Sequence, residues 1–145
     1  MPLHLIKLCV GIGSVEELEE HVAARLAAAR LQGRAVEQAH VTRMVPKRID
    51  ELLDDGSLYW VIKGQVQVRQ RLVAVQPFKD ADDVGRCRLV LEPTFARTAW
   101  QPRRPFQGWR YLKPQDAPRD IGTGESGEGD LPVDMQRELI DLGLF

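Results

Sequence analysis

The 145-residue sequence has few of the residues that mark disulfide-bonded, metal-binding or membrane proteins. It contains two cysteines and three histidines, and none of them stands at a metal-ligand spacing. Cys9 and Cys87 each lie in an apolar run, which is typical of buried free thiols. No apolar run approaches the roughly 20 residues of a membrane-spanning helix. We therefore expect no disulfide, no metal, no cofactor and no membrane partner.

A signal peptide and an excess charge of one sign are also lacking. Residues 1–12 lack the basic region and small-residue cleavage site of a secretory signal, so we expect a cytoplasmic protein. The 20 basic and 21 acidic side chains nearly cancel, giving a formal charge of -1. Whole-molecule electrostatics predict no general attraction to polyanions, and any such affinity has to be local.

Sequence motifs of known catalytic sites are missing too. There is no Gly-x-Ser-x-Gly motif and no cysteine with an obvious histidine and asparagine set. The run GIGS at 11–14 has a glutamate, Glu16, where a dinucleotide fingerprint needs its third glycine. We name no catalytic residue and lean against an enzyme, although catalytic groups also assemble from distant parts of a sequence.

The patterns that are present predict one α+β domain. Leu3 to Val10 reads as a buried strand. Ser14 and Glu17 have the spacing of a capping box, which opens a helix that stops at Gly33. One apolar stripe marks the inward face of that helix: Val15, Leu18, Val22, Leu26 and Ala29.

Further along, shorter elements alternate with turn residues. We predict a weak strand within 34–43, a short helix from Pro46 to Leu53, and strands at 58–62, 65–72 and 86–92. Together these predict a small, curled, mostly antiparallel sheet, of which a partial barrel is one form, with two or three helices. The predicted domain spans 1–121. A flexible, acidic, glycine-rich linker (122–130) and a short C-terminal helix (131–145) follow it.

One segment carries a pattern typical of ligand binding. Between Glu92 and Asp116 there are five cations, no acid, and five interleaved aromatic residues. Guanidinium groups pair with phosphate and aromatic faces stack on bases, as in grooves for single-stranded nucleic acid. Strand alternation predicts that Arg69 and Arg71 share a sheet face with Gln65 and Gln67. The candidate nucleic-acid contacts are Arg69, Arg71, Arg103, Arg104 and Arg110 for phosphate, with Trp100, Trp109 and Tyr111 for stacking.

Four runs carry a resemblance to a known family: HVTRMVPKR (40–48), GSLYWVIKG (56–64), VRQR (68–71) and RPFQGWRYLKP (104–114). They resemble an uncharacterised bacterial family of short proteins, designated only as a domain of unknown function, over most of 1–121. The layout around 46–71 also resembles the small curled sheets of the PUA and ASCH group. That likeness implies a link to RNA, although fold alone does not establish function.

Our leading hypothesis is an RNA-binding module whose partner is RNA or another single-stranded nucleic acid. Three alternatives stay open. The arginines and rings also fit ordinary packing. In the enzyme alternative, the same surface binds a small anionic substrate and His40 acts as the acid or base. The protein is a protein-protein adaptor if Trp100, Phe106 and Trp109 are anchors. The acidic tail, in a further hypothesis, folds over the basic surface. Ligand identity and oligomeric state do not follow from the sequence.

Overall fold

The computed structural model describes residues 2–121. The predicted linker at 122–130 and the predicted helix at 131–145 lie outside the described residues. Neither of the α-helices within 2–121 is long and apolar enough to cross a membrane. In chain order the elements are β1 (His4–Leu8), α1 (Val15–Leu31), β2 (Gln38–Thr42), α2 (Ile49–Leu52), β3 (Ser57–Ile62), β4 (Gln65–Lys79), β5 (Gly85–Leu91), β6 (Ala96–Pro102) and β7 (Trp109–Leu112), followed by one 3-10 turn, Pro114–Asp116.

The seven strands form one mixed sheet that is not closed. Their order is β2-β5-β4-β3-β1-β7, and β6 pairs with β4 beside this path. Only the pair β1–β3 is parallel. The first half of the long strand β4 lies between β3 and β6, and its second half pairs with β5. The predicted α+β class with a mostly antiparallel sheet is confirmed.

Helix α1 begins where the sequence predicts it. The Ser14 hydroxyl accepts a hydrogen bond from the Glu17 amide at 3.1 Å, while the Glu17 carboxylate accepts from the Gly13 amide at 3.0 Å. The second bond of the capping box therefore falls one residue earlier than in the usual pattern. The predicted apolar stripe packs on the sheet face that carries Leu5, Leu58, Trp60 and Ile62, here called the inner face.

The opposite face of the sheet, here called the outer face, has a smaller apolar cluster. Ile6, Tyr59, Val61 and Val66 form it together with Leu112. Adjacent residues of a strand point to opposite faces, so Tyr59 and Trp60 belong to different clusters. Each face of β3 is therefore buried, which explains why this strand is apolar throughout.

The sheet is strongly curled around its inner face. The ring centroids of His40 on β2 and Trp60 on β3 are 5.4 Å apart, although two strands lie between β2 and β3. Strands are spaced by about 4.8 Å, so a flat sheet would hold these positions about 14 Å apart. A network of side-chain amides spans the curl. The Gln70 side-chain oxygen accepts from the Trp60 indole at 2.9 Å and from the side-chain amide of Gln38 at 3.1 Å.

A β-bulge in β4 corrects one sequence prediction. Trp60 opposes Val68 and Val61 opposes Val66, so Gln67 is an extra residue on its strand. Its side chain is buried and donates to the Ile62 carbonyl at 2.9 Å. The bulge shifts the alternation, so that Val66 packs on the outer face and Val68 on the inner face. The prediction of one exposed face carrying Gln65, Gln67, Arg69 and Arg71 is therefore wrong.

Candidate functional site

Two of the three predicted stacking rings hold the fold together. Trp109 is only 7% exposed, and its indole donates to the Met44 carbonyl at 2.9 Å. The Tyr111 hydroxyl accepts from the amides of Lys47 at 2.9 Å and Arg48 at 3.2 Å. These hydrogen bonds fasten the loop after β2 to β7. Strands β2 and β7 are the two ends of the sheet order. Trp109 therefore presents no open face to a base, and the third ring, Trp100, is half-buried on β6.

The two predicted phosphate contacts on β4 are already paired with acids. Arg69 donates to both carboxylate oxygens of Asp120, at 2.8 and 2.6 Å, and to the Ser57 hydroxyl at 2.8 Å. Arg71 lies 3.5 Å from Asp55 and 3.8 Å from Glu92. The Arg69–Asp120 pair anchors the segment at 119–121 beside β6, where backbone hydrogen bonds also hold it.

The remaining predicted arginines lie around the turn between β6 and β7. Arg103 donates to the Gln101 side chain, and the Arg110 guanidinium stacks over the Phe106 ring at 5.7 Å. Arg104 is exposed. By strand register Arg110 opposes Ile6 on the outer face, whereas Tyr111 opposes Leu5 on the inner face. The eight predicted residues therefore do not share one surface.

A cavity of about 830 Å³ lies between α1, the end of β1 and β2. Its volume falls in the range of about 300 to 1,000 Å³ that small-molecule sites occupy. Trp60 of β3 and His40 of β2 reach it from the sheet, and His21 and Arg25 reach it from α1. The curl of the sheet creates this space. It brings β2 toward α1, while α1 itself packs on β1 and β3.

The cavity carries an excess of positive charge. Lys7, Arg25, Arg34 and Arg88 line it, against the acids Glu17 and Glu37. Arg88 is paired with Glu37, and Glu17 accepts the Gly13 amide at the helix start. Within residues 2–121, the other three cations lie beyond ion-pair distance of any carboxylate. No acid of the described residues therefore neutralises these three side chains.

Burial and charge set the protonation of the groups inside the cavity. Burial, together with the nearby positive charges of Lys7 and Arg25, lowers the pKa of His40 to about 4. Burial also lowers the pKa of Lys7 and raises that of the Cys9 thiol to about 11. At neutral pH the cavity thus presents a neutral imidazole, a protonated thiol and cations. An anion bound beside Lys7 and Arg25 would offset their charge and raise the pKa of His40.

The free energy of unfolding should fall as the pH drops from about 6.5 toward 4. In this window the unfolded chain binds a proton at position 40 that the folded chain excludes, since the folded pKa is the lower one. We expect His40 to account for about 2 kcal/mol of the loss, allowing for its partial contact with solvent. Urea unfolding at several pH values should show a smaller loss in His40→Gln. If the free energy of unfolding falls equally with pH in the two proteins, the lowered pKa of His40 is contradicted.

Sequence reasoning missed most of this cavity. His40 was named as a possible acid or base, but Lys7, Arg25 and Arg34 were not singled out. A usable signal existed, because the helical period places His21 and Arg25 along the edge of the buried stripe of α1. His4 does not line this cavity: its Nδ1 accepts from the Ser57 amide at 3.0 Å, and its ring packs against Tyr59.

Comparison with known proteins adds a family and no described activity. No curated protein matches the chain significantly, and no solved structure does. A family model described as "Protein of unknown function (DUF1489)" matches residues 5–145. This agrees with the resemblance to an uncharacterised family that the four sequence runs carry, and it extends beyond residue 121. The chain belongs to this family of proteins of unknown function.

Proposed function

We propose that the chain is a cytoplasmic, PUA-like RNA-binding module, and that the cavity between α1 and β2 receives one nucleotide of a single strand. The observation that carries this proposal is the set of three cations, Lys7, Arg25 and Arg34, that line the cavity without a carboxylate partner in the described part of the chain. The layout resemblance to the PUA and ASCH group points to the same class of ligand.

The chemistry of a nucleotide fits the contents of the cavity. Its base is planar and partly apolar, and the half-buried Ile12 and Leu26 supply apolar walls beside the neutral His40. Its phosphate is anionic and matches the two arginine forks at the rim. Lys7 gains most from an anion, because its ammonium group is partly buried and no acid within residues 2–121 pairs with it.

A second group of cations extends the proposed surface beyond the cavity. The Lys63 side chain lies beside Gly13, next to the cavity residue Ile12. The Arg103 amide donates to the Gly64 carbonyl at 2.8 Å, which holds Arg103 close to Lys63. A strand that leaves the cavity past the start of α1 would therefore meet Lys63 and then Arg103. In this proposal Arg103 and Arg104 keep their role as phosphate contacts.

Binding of a fluorescein-labelled single-stranded RNA, measured by anisotropy at several salt concentrations, tests the proposal. We expect affinity to fall with salt, with a log-log slope of about -0.7 for each phosphate neutralised. The double variant Arg25→Ala/Arg34→Ala should bind roughly 100-fold more weakly, at about tenfold per lost contact. Its slope should be shallower by about 1.4, because two phosphate contacts are lost.

The matched control is Arg71→Ala/Arg110→Ala, which removes two predicted contacts that lie away from the cavity. We expect it to bind nearly as well as the unmodified chain. If the control loses affinity and the cavity variant does not, the outer face is the binding surface and the cavity proposal is wrong. Salt-insensitive binding, or none at micromolar protein, would remove the RNA proposal altogether.

The two rival functions gain less from the geometry. A pKa of about 4 makes His40 a weak general base at neutral pH, where catalysis favours groups with a pKa near 7. The adaptor hypothesis loses one of its three anchors, because Trp109 is buried and hydrogen-bonded to the Met44 carbonyl. RNA binding at the cavity is the function that the described residues support best.

A further inference from the structure

The charges that line the cavity within residues 2–121 do not balance. The lining contains four cations and two acids: Lys7, Arg25, Arg34, Arg88, Glu17 and Glu37. The excess is therefore two positive charges. A phosphodiester inside a nucleic-acid strand carries one negative charge, whereas a phosphate monoester carries about -1.5 to -2 at pH 7. The excess matches the charge of a phosphate at the end of a strand and exceeds that of an internal one.

The cations of the cavity lie at different depths. Lys7 is half-buried on β1, and burial lowers its pKa. Arg25 on α1 and Arg34 just after α1 are exposed. The positive charges of Lys7 and Arg25 both lower the pKa of His40, so both cations lie close to its imidazole. A phosphate group that contacts Lys7 therefore lies inside the cavity, beside His40, with the two arginines toward solvent.

The proposed path of the strand leaves the cavity in one direction. The cations beyond the cavity, Lys63 and Arg103, lie past the start of α1. The other end of the cavity is bounded by the connection from α1 to β2, which contributes Arg34, Ala35 and Glu37 to the lining. A cavity that is bounded at one end suits the last nucleotide of a strand better than an internal nucleotide, whose chain continues on both sides.

We propose that the cavity binds the phosphorylated end of an RNA strand, with the terminal phosphate monoester held by Lys7, Arg25 and Arg34. This inference rests on the proposed function and specifies its ligand. A 5′ phosphate and a 3′ phosphate present the same monoester chemistry, so separate oligonucleotides are needed to distinguish them. Terminal phosphorylation is then the feature by which the protein selects its RNA.

Two small probes of similar size test the phosphate site without RNA. Methyl phosphate is a monoester, and dimethyl phosphate is a diester with one negative charge. NMR spectra of the full-length chain at neutral pH follow the His40 ring while each probe is added. We expect methyl phosphate to bind about tenfold more tightly and to raise the pKa of His40, because its charge offsets those of Lys7 and Arg25. Equal binding of the two probes, or unchanged His40 signals, would overturn the inference.

Three oligonucleotides of one sequence extend the test to RNA: one with a 5′ phosphate, one with a 3′ phosphate and one with neither. The anisotropy of an internal label should show that one phosphorylated form binds about tenfold more tightly than the unphosphorylated form. Lys7→Gln and, separately, Arg34→Gln should reduce this preference several-fold. The matched control Lys63→Gln removes a cation outside the cavity lining. It should weaken binding of all three to a similar extent and keep the preference.

The outcomes separate this inference from the proposed function. Equal affinity for the three oligonucleotides would overturn the inference and leave RNA binding in place. A preference that survives in both cavity variants would also overturn it, because the terminal phosphate would then bind elsewhere. A chain that prefers methyl phosphate to dimethyl phosphate but binds no RNA would retain the monoester site and remove the proposed function.

Discussion

Trp109→Ala is expected to lower the free energy of unfolding by about 3 to 5 kcal/mol, the usual cost of deleting a buried indole. Trp109 packs in the inner-face cluster, stacks edge-on against Tyr111 at 4.8 Å between centroids, and donates to the Met44 carbonyl. The substitution opens a cavity and removes one of the two donors to that carbonyl, the other being the Thr42 hydroxyl at 2.9 Å. It also releases the loop after β2 from β7, the strand at the other end of the sheet order.

Chemical denaturation measures this effect, and Trp109→Phe is the matched control. Phenylalanine retains most of the ring but not the indole donor, so we expect a smaller loss of about 1 to 3 kcal/mol. The prediction separates two roles for the same side chain. A Trp109→Ala variant that unfolds like the unmodified chain but binds RNA more weakly would restore Trp109 as a stacking face and refute its role as a clamp.

Gly56→Ala is expected to destabilise the fold by about 3 kcal/mol or more, through overpacking against backbone. A Cβ atom at this position would lie 2.2 Å from the Leu52 carbonyl oxygen and 2.3 Å from the Leu3 carbonyl oxygen. Neither oxygen belongs to a flexible side chain. Relief requires α2 or the segment before β1 to shift, although the Gly56 amide donates to the Leu52 carbonyl and the Leu3 amide donates to the Glu51 carbonyl.

Thermal unfolding of Gly85→Ala provides the comparison. Gly85 begins β5, and a Cβ atom there meets nothing within 4 Å. We expect this variant to remain within about 1 kcal/mol of the unmodified chain, because it adds a methyl group to open space. If both glycine variants unfold at the same temperature, the close approach of the Leu3 and Leu52 carbonyl oxygens to Gly56 is contradicted.

Helix α1 and the apolar strands were predictable because their signals are local. Ser14 and Glu17 stand three residues apart, and the buried positions of the helix recur every three or four residues. Strand β3 reads as a continuous apolar run, and the structure buries it on both faces. These patterns depend on the period of the backbone and on side chains within one element, so no knowledge of distant neighbours is needed.

The surface of β4 was not predictable in the same way. Alternation places Gln65, Gln67, Arg69 and Arg71 on one face, but the bulge at Gln67 shifts the phase within the strand. No local residue preference marks that bulge, since it arises from how β3 and β6 pair with β4 on either side. The one sign in the sequence was Gln70, which breaks the alternation and turns out to join Trp60 and Gln38 in the core.

The packing roles of Trp109 and Tyr111 were not predictable from the sequence either. Trp109 and Tyr111 stand among cations, a pattern that a stacking surface and a packed clamp share. Their partners, the carbonyl of Met44 and the amides of Lys47 and Arg48, lie more than 60 residues earlier in the chain. Aromatic residues with a polar group satisfy both roles, so composition does not distinguish them.

The sequence by itself determined the α+β class, the start of α1 and the membership of an uncharacterised family. Each of these depends on periodicities and motifs contained in short stretches of chain. The tertiary structure alone decided which cations pair with an acid within residues 2–121, because pairing depends on acids that are distant in sequence, as Arg69 with Asp120 shows. It also decided where a ligand has room to bind, because the cavity exists only through the curl that brings β2 over Trp60 and beneath α1.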